Sequence, residues 1–269
     1  MLSKGEEKTV PFPPHPEGRG FSGTPMKHEW IETNTTLLLV LTLLVISLGG
    51  LVEIVPLFLI EQTVETVPGI RPYSPLELLG RDIYQREGCY LCHSQMIRPL
   101  REEWMRYGHY SLATESQYDH PFQWGSRRVG PDLARVGGKY SNAWHVWHLV
   151  TPRSVIPGSR MPNYPWIKTN PLAYEDISAH LQALARTGVP YSESRAEYEA
   201  NVTRFGEKVA HLLDISLARE NVIAQAESGN YDGDRTHLTE MDALIAYLQM
   251  LGTLIDFSRY DEDYFVKFR

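Results

Sequence analysis

The chain contains one Cys-x-x-Cys-His run, Cys89-Tyr90-Leu91-Cys92-His93, and its 2 cysteines both lie in it. Two thiols at this spacing, followed directly by an imidazole, form the attachment pattern of a c-type haem, in which the histidine ligates the iron. A four-cysteine zinc site would need a second pair of thiols, and a thioredoxin-like dithiol normally lies in a βαβ pattern that is not visible here. The run therefore predicts a covalently bound haem and an electron carrier.

A second constraint is the apolar stretch from Thr35 to Ile60, which exceeds the roughly 20 residues that a membrane-spanning helix needs. A signal peptide would have a shorter apolar core and a small-residue cleavage site, whereas this stretch continues through Pro56. We expect one transmembrane anchor over residues 35–60. Glu53 lies inside it and is costly there, so it either packs against a partner helix or lies near the membrane interface.

The remaining regions differ in composition. Residues 1–34 are rich in proline, glycine and charge, which predicts an N-terminal tail. After the anchor we expect a linker over residues 61–73, a cytochrome c domain over 74–256 with an insert at 191–235, and a C-terminal tail over 257–269. The net charge of -7 leaves no basic excess, which argues against nucleic-acid binding.

Two helix starts bound the expected cytochrome domain. Ser74-Pro75-Leu76-Glu77 has a capping serine, a proline at the first helical position and a glutamate that can close a capping box. Thr239-Glu240-Met241-Asp242 is a similar start, and Gly252 is its stop. Gly80 lets a second helix approach the first one closely. We therefore expect the two helices to cross, as the paired terminal helices of small c-type cytochromes do. The predicted fold class is mainly α, with one N-terminal transmembrane helix before a class-I-like cytochrome c domain with insertions.

The iron needs a second axial ligand, and 7 methionines compete for that position. Met161 lies in a loop pinned by Pro157, Pro162 and Pro165. Such a loop can hold a thioether at the iron, whereas methionines in helices more often fill cores. Met161 is therefore the first candidate, and Met105 is the second.

Histidines are the alternative axial ligands. The candidates are His145 and His148, or His109, His120 and His180. The spacing of His145 and His148 also permits a metal pair on one helix, but no acidic partner or further histidine is placed to complete it. Aromatic packing with surface imidazoles is the favoured interpretation of these two.

On the His93 side of the haem, the run Gly130-Pro131-Asp132-Leu133 offers a carbonyl acceptor. A haem-ligating histidine usually donates its second ring proton to such a carbonyl, which fixes the orientation and basicity of the ring. We predict a hydrogen bond from His93 to the Pro131 carbonyl, which is compatible with a tight turn at the same place.

Several longer runs carry a family resemblance. They are Val52 to Phe58, Arg81 to Tyr84, Asp119 to Arg128, Gly130 to Gly138, His148 to Pro157 and Met161 to Trp166. In them the chain resembles the mono-haem cytochrome c subunit (subunit II, the "O" subunit) of cbb-type, or C-family, haem-copper cytochrome c oxidases. The resemblance covers residues 35–190 and 236–256.

The resemblance implies one covalent haem c, bound through Cys89 and Cys92, with His93 and Met161 as the axial ligands of the iron. The further cofactor-binding residues that we predict are Pro131, Trp124, Arg127 and Arg128. Because both axial positions are then filled, the iron has no site for a substrate, and we predict no catalytic residue in this chain.

The resemblance also implies partners and a location. A catalytic subunit would carry haems b and copper, a di-haem cytochrome c subunit would supply electrons, and this chain would relay them to the low-spin haem b for the reduction of oxygen to water. Haem c is attached outside the cytoplasm, so we expect a single-pass protein of the bacterial inner membrane with a cytoplasmic N-terminus and a periplasmic haem domain. The alternatives are a membrane-anchored cytochrome shuttle and the small cytochrome subunit of a nitric oxide reductase.

Overall fold

The structure is a computed structural model, and it describes residues 28–59, 64–65, 67–260 and 264. Within these ranges the chain forms helices and two isolated β-bridges but no β-strand, which confirms the predicted mainly α class. The α-helices are α1 (Glu29–Thr33), α2 (Thr35–Leu59), α3 (Pro75–Arg86), α4 (Arg101–Tyr107), α5 (Asn142–Val150), α6 (Pro152–Val155), α7 (Trp166–Thr169), α8 (Ile177–Arg186), α9 (Arg195–Phe205), α10 (Glu207–Leu212), α11 (Ala218–Gly229) and α12 (Glu240–Met250). Short 3-10 turns cover Cys89–Leu91, Ala113–Ser116, Ile215–Leu217 and Phe257–Arg259.

The chain divides into two compact units, residues 1–60 and 61–269. The first unit contains α1 and α2, and Thr35–Leu57 of α2 is long and apolar enough to cross a membrane. The Asn34 side chain accepts a hydrogen bond from the Leu37 amide (3.1 Å) and so caps the start of α2. The predicted anchor is thus a continuous helix, although Ile60 lies outside the described residues. Most of the predicted tail also lies outside them, but its last part forms α1.

In the second unit, α3 begins where its sequence predicts. The Ser74 hydroxyl accepts a hydrogen bond from the Glu77 amide (3.4 Å), and the Glu77 carboxylate accepts one from the Ser74 amide (2.8 Å). This reciprocal pair is a capping box, and Pro75 occupies the first turn, where its missing N–H costs nothing. Leu76 and Ile83 then bury the inner face of the helix.

Helix α12 crosses α3 at Gly80. A Cβ atom at position 80 would lie 1.9 Å from the Ala243 carbonyl oxygen and 2.8 Å from the Tyr247 Cβ, so only glycine permits this approach. The Tyr247 ring packs 5.5 Å from the Tyr84 ring and 5.8 Å from that of Tyr73, at tilted and edge-on angles. The predicted crossing is confirmed, and it forms the centre of the core.

Residues 191–235 fold as helices α9 to α11 with a 3-10 turn between α10 and α11. Leu213, Ile215 and Val222 from this segment are buried in the same hydrophobic cluster as α3 and α12. The predicted insert therefore contributes directly to the main core.

The predicted linker and C-terminal tail are more ordered than their composition suggests. Val67 and Ile70 are buried in a small cluster with Leu112 and Ile255, and Phe257 packs against it. From Val67 onward the linker therefore belongs to the domain, because its apolar side chains find partners there. Residues 61–63 and 66 lie outside the described ranges.

Candidate haem-binding site

The two cysteines lie on a 3-10 turn that directly follows α3. Gly88 adopts a positive φ of 71° and turns the chain out of the helix. The amides of Cys92 and His93 both donate to the Cys89 carbonyl (3.1 and 2.9 Å), which closes the turn. The turn brings the two thiols and the imidazole into one short segment. Both thiols are free; the Cys92 side chain is exposed and that of Cys89 is half-buried.

The environment of Cys89 differs from that of a redox dithiol. Burial, followed by the negative charge of Glu87, raises the pKa of the Cys89 thiol to about 12. Thiol–disulfide exchange needs a thiolate, and reactive dithiols accordingly have lowered pKa values. In the described residues, no three His, Cys, Asp or Glu side chains meet to hold a metal ion. The raised pKa of Cys89 therefore argues against a thioredoxin-like dithiol.

The orientation of the His93 ring is set by its contacts with Gly130 and Pro131. Its Nδ1 atom lies 2.7 Å from the Pro131 carbonyl oxygen, so the predicted hydrogen bond is present and Nε2 is left as the ring nitrogen available to a metal. Burial lowers the pKa of His93, which favours the neutral imidazole that metals bind. A Cβ at Gly130 would lie 2.2 Å from the His93 Cε1 atom. Position 130 must therefore lack a side chain for the imidazole to take this place.

Backbone hydrogen bonds hold the segment around Pro131 against the haem-attachment run. The Gln95 amide donates to the Trp124 carbonyl (2.8 Å), and the Gly130 amide donates to the Cys92 carbonyl (3.0 Å). Gly125, at φ +63°, brings its backbone so close that a Cβ there would lie 2.8 Å from the His93 carbonyl oxygen. The loop that contains Pro131 and the haem-attachment run are therefore held together mainly by backbone hydrogen bonds and close backbone contacts.

Arg128 lies at the centre of a polar cluster beside His93. Its Nε donates to the Ser94 hydroxyl (2.6 Å), and its Nη2 donates to the Met96 carbonyl (2.9 Å) and to the Glu103 carboxylate (2.8 Å). Arg128 is the main reason why the pKa of Glu103 falls to about 2. The predicted cofactor contact of Arg128 stays a prediction.

Trp124 and Arg127, also predicted to bind the cofactor, lie on the exposed side of the same loop. The Trp124 indole N–H donates to the Ser116 hydroxyl (3.2 Å), and its ring stacks on Phe122 with centroids 4.5 Å apart. The Arg127 side chain is exposed and makes no hydrogen bond or ion pair to the residues that the structure describes. Contact of either side chain with a haem stays a prediction.

A buried ion pair joins the loop that contains Trp124 to helix α3. The Arg81 guanidinium donates to the Pro121 carbonyl (2.5 Å) and lies 3.2 Å from the Asp119 carboxylate, which also accepts from the Tyr73 hydroxyl (2.7 Å). Burial raises the pKa of Asp119, and the positive charge of Arg81 opposes that effect. Since both charges are almost fully buried, each requires the other, and the loop is fixed to α3.

The Met161 loop lies near the cysteines, because the pKa of Tyr164 in this loop is raised by burial and then by the nearby Cys89 and Cys92. The Met161 side chain is half-buried and packs against the main core, as Cys89 does. The Tyr164 amide donates to the Leu149 carbonyl (2.9 Å), which ties the loop to α5. The competing Met105 lies on α4 with 78% of its surface exposed. Burial therefore favours Met161 over Met105, and its ligation of the iron stays a prediction.

The candidate histidines occupy different environments. His148 stacks on the Trp144 ring at 4.5 Å, in agreement with the predicted aromatic packing, but its Nδ1 is buried without a hydrogen-bond partner. His145 was expected at the surface and is buried at 3% exposure, because α5 turns this face towards the core; burial lowers its pKa to about 4. His180 pairs with Asp82 (3.1 Å) and His109 stacks on Phe257 (4.2 Å), so both have partners elsewhere.

Sequence reasoning named Gly130 and Asp132 only as neighbours of the predicted acceptor Pro131, and it missed Ser94 and Glu103. Ser94, Glu103 and Asp132 meet only in the folded chain, and no spacing in the sequence connects all three.

Comparison with known proteins adds a family. The family model described as "Cytochrome C oxidase, mono-heme subunit/FixO" matches residues 28–255, a range that includes α1 to α12 and every site residue named above. No curated protein matches the chain.

Proposed function

The chain belongs to the family of mono-haem cytochrome c oxidase subunits (FixO), and on this premise we propose that it is a fixed electron relay within a cbb-type oxidase. The family makes the chain a subunit of an oxidoreductase complex and implies one haem. In our proposal, electrons arrive from a di-haem cytochrome c subunit and leave for the low-spin haem b of the catalytic subunit, where copper and a second haem b reduce oxygen to water.

We propose that the haem is covalent, with thioether bonds to Cys89 and Cys92 and with His93 and Met161 as axial ligands. The observation that carries this proposal is the 2.7 Å hydrogen bond between His93 Nδ1 and the Pro131 carbonyl. It leaves Nε2 as the ligating nitrogen beside two free thiols, and the missing Cβ of Gly130 makes room for the ring. The residues present therefore fit a c-type haem, which supplies one-electron redox chemistry when bound.

The protein's own contribution to transfer is to keep this site rigid and selective. Pro131 fixes the tautomer of His93 and raises its basicity as a ligand. The proline-flanked loop holds Met161, whose soft thioether favours ferrous iron and so a higher reduction potential than a second imidazole. With both axial positions occupied, we propose that the chain has no substrate site and that oxygen chemistry belongs to its partner.

We further propose that α2 is the anchor, with a cytoplasmic N-terminus and the haem domain on the periplasmic side of a bacterial inner membrane. Support comes from the length and apolarity of α2 and from the fact that c-type haem is attached outside the cytoplasm. Glu53 within α2 favours a neighbouring helix of the complex, because a partner offsets part of the cost of a carboxyl group in lipid.

The test removes the anchor and keeps the haem domain. Residues 61–269 form a separate compact unit, so deleting residues 1–62 and exporting the remainder should give a soluble cytochrome with a normal spectrum. Added to membranes that lack this subunit, the fragment should not restore oxygen reduction. Full oxidase turnover at stoichiometric amounts of the fragment would contradict the fixed relay and support a shuttle.

A further inference from the structure

The polar cluster beside His93 has a geometry that suggests a role in the electron transfer itself. We propose that Ser94, Asp132 and Arg128 are positioning residues. They hold the Pro131 carbonyl within hydrogen-bonding distance of His93 and thereby help to set the reduction potential of the haem. This inference rests on the proposed function, since it requires that His93 ligates the iron.

The argument begins with covalent neighbours. Ser94 follows His93 in the chain, and Asp132 follows Pro131. The Ser94 hydroxyl donates to the Asp132 carboxylate at 2.6 Å. The residues that follow His93 and Pro131 are therefore hydrogen-bonded to each other, next to the hydrogen bond between His93 and Pro131. The Leu133 amide donates to the Ser94 carbonyl (2.9 Å) and makes a second link at the same level.

Asp132 is fixed from several sides. Its side chain is fully buried, and it also accepts from the amides of Met96 (3.1 Å) and Ala134 (2.8 Å). A buried carboxylate requires such donors together with a compensating charge. Arg128 supplies the charge: its Nη2 lies 3.2 Å from the Asp132 carboxylate while its Nε donates to the Ser94 hydroxyl.

Arg128 is itself restrained. The Glu103 carboxylate accepts from its Nη2 (2.8 Å), and the guanidinium lies over the Tyr107 ring at 5.2 Å. Helix α4, which carries Glu103 and Tyr107, therefore supports Arg128, and Arg128 supports Ser94 and Asp132. Because Arg128 has partners on both sides of it, the cluster is restrained to one arrangement.

The consequence for the iron follows from ligand basicity. A strong hydrogen bond from Nδ1 to a carbonyl makes the imidazole a better electron donor, which stabilises ferric iron and lowers the reduction potential. If the cluster loosens, the hydrogen bond lengthens, the imidazole donates less, and the potential rises. The same loosening opens the Nδ1 proton to exchange with water.

Ser94→Ala is the primary test, because it removes both hydroxyl hydrogen bonds without changing any charge. Ser126→Ala is the matched control, since Ser126 is an exposed serine of the same loop. In the full-length ferric protein, proton NMR should show exchange of the His93 Nδ1 proton roughly tenfold faster in Ser94→Ala, the effect of losing one hydrogen bond. Redox titration should show a higher potential for Ser94→Ala, while Ser126→Ala should match the wild type in both measurements.

A second pair of variants tests Arg128 independently. Arg128→Gln and Arg101→Gln each remove one positive charge, but Arg101 is an exposed residue at the start of α4, and only Arg128 contacts the cluster. We expect faster exchange of the His93 Nδ1 proton in Arg128→Gln and wild-type exchange in Arg101→Gln. Ser94→Thr, which keeps the hydroxyl, should restore slow exchange relative to Ser94→Ala.

The outcomes separate this inference from the function on which it rests. Wild-type protein without a covalently bound, low-spin haem would overturn the proposed function and this inference with it. A normal wild-type haem, together with equal exchange rates and potentials in Ser94→Ala and Ser126→Ala, would overturn the positioning role alone.

Discussion

The crossing of α3 and α12 and the haem-attachment loops are held together by different physics. At the crossing, apolar and aromatic side chains pack around Gly80, and nearly every residue of α12 is buried. In the loops, hydrogen bonds of backbone amides and charged side chains join residues 92–95 to residues 124–134. The aromatic rings there stack on each other at the surface. Packing stabilises the first region, and directional hydrogen bonds fix the second.

The difference separates stability from function. A helix crossing tolerates substitutions that conserve side-chain volume, but it is disrupted when a new side chain keeps the two backbones apart. A hydrogen-bonded loop contributes less to global stability, yet a small displacement there changes the orientation of His93. We therefore expect substitutions at the crossing to appear in the free energy of unfolding, and substitutions in the loops to appear in the haem.

The largest effect on folding should come from Gly80→Ala. The new Cβ would lie 1.9 Å from the Ala243 carbonyl oxygen, so the helices must separate. We expect the free energy of unfolding to fall by about 3 kcal/mol, more than the ~1 kcal/mol that alanine contributes through helix propensity. Denaturant titration measures it. Gly158→Ala, at an open position, should change the value by less than about 0.5 kcal/mol, and equal effects of the two variants would break the comparison.

Gly130→Ala is the counterpart in the loops. Its Cβ would lie 2.2 Å from His93 Cε1, so the imidazole must move away from its position. We expect the absorption spectrum to show loss of the low-spin haem, while the far-UV circular dichroism of the helical core stays close to that of the wild type. A normal low-spin spectrum would show that the close contact of Gly130 with His93 does not constrain the ligand.

A smaller, purely electronic change should follow from Met161→His. An imidazole in place of the thioether keeps a low-spin haem but favours ferric iron, so the reduction potential should fall and transfer should slow. Met105→His, on an exposed face of α4, should leave the potential unchanged. If instead Met105→His lowers the potential and Met161→His leaves the sulfur–iron near-infrared band intact, the sixth ligand is Met105.

The smallest effect concerns acid stability at Glu103. Arg128 lowers the pKa of this carboxyl from 4.5 to about 2, so its contribution to stability is present above pH 4.5 and is lost as the pH falls through about 2. Glu103→Gln should therefore be less stable than the wild type at neutral pH, and the difference should vanish towards pH 2. Urea titrations across this range measure it, with Glu102→Gln, at an exposed neighbour, as the control. A difference that is constant with pH would mean that Glu103 acts through packing.

Much of the crossing could be predicted from sequence because its signals are local. The capping box at Ser74, the small residue at Gly80 and the helix start at Thr239 are each readable from a few consecutive residues, and each is present as predicted. The hydrogen bond of His93 to Pro131 was predictable for a different reason, since the chemistry of a haem-ligating histidine requires an acceptor.

The rest of the site could not be predicted, because it depends on tertiary contacts. Ser94, Glu103, Arg128 and Asp132 come from three separate segments, and their hydrogen bonds exist only when these segments meet in the folded chain. The burial of His145 depends likewise on how α5 turns in the domain. The place of residues 191–235 in the core also depends on packing against α3 and α12.

The central claim is that Cys89 and Cys92 hold a haem covalently, and acid–acetone extraction of the purified full-length chain tests it most directly. Thioether bonds survive the denaturation and extraction that release a haem held only by axial ligands. We predict that the haem stays with the precipitated wild-type protein, and that the double variant Cys89→Ala, Cys92→Ala retains none. Haem that extracts freely from the wild type would contradict the account.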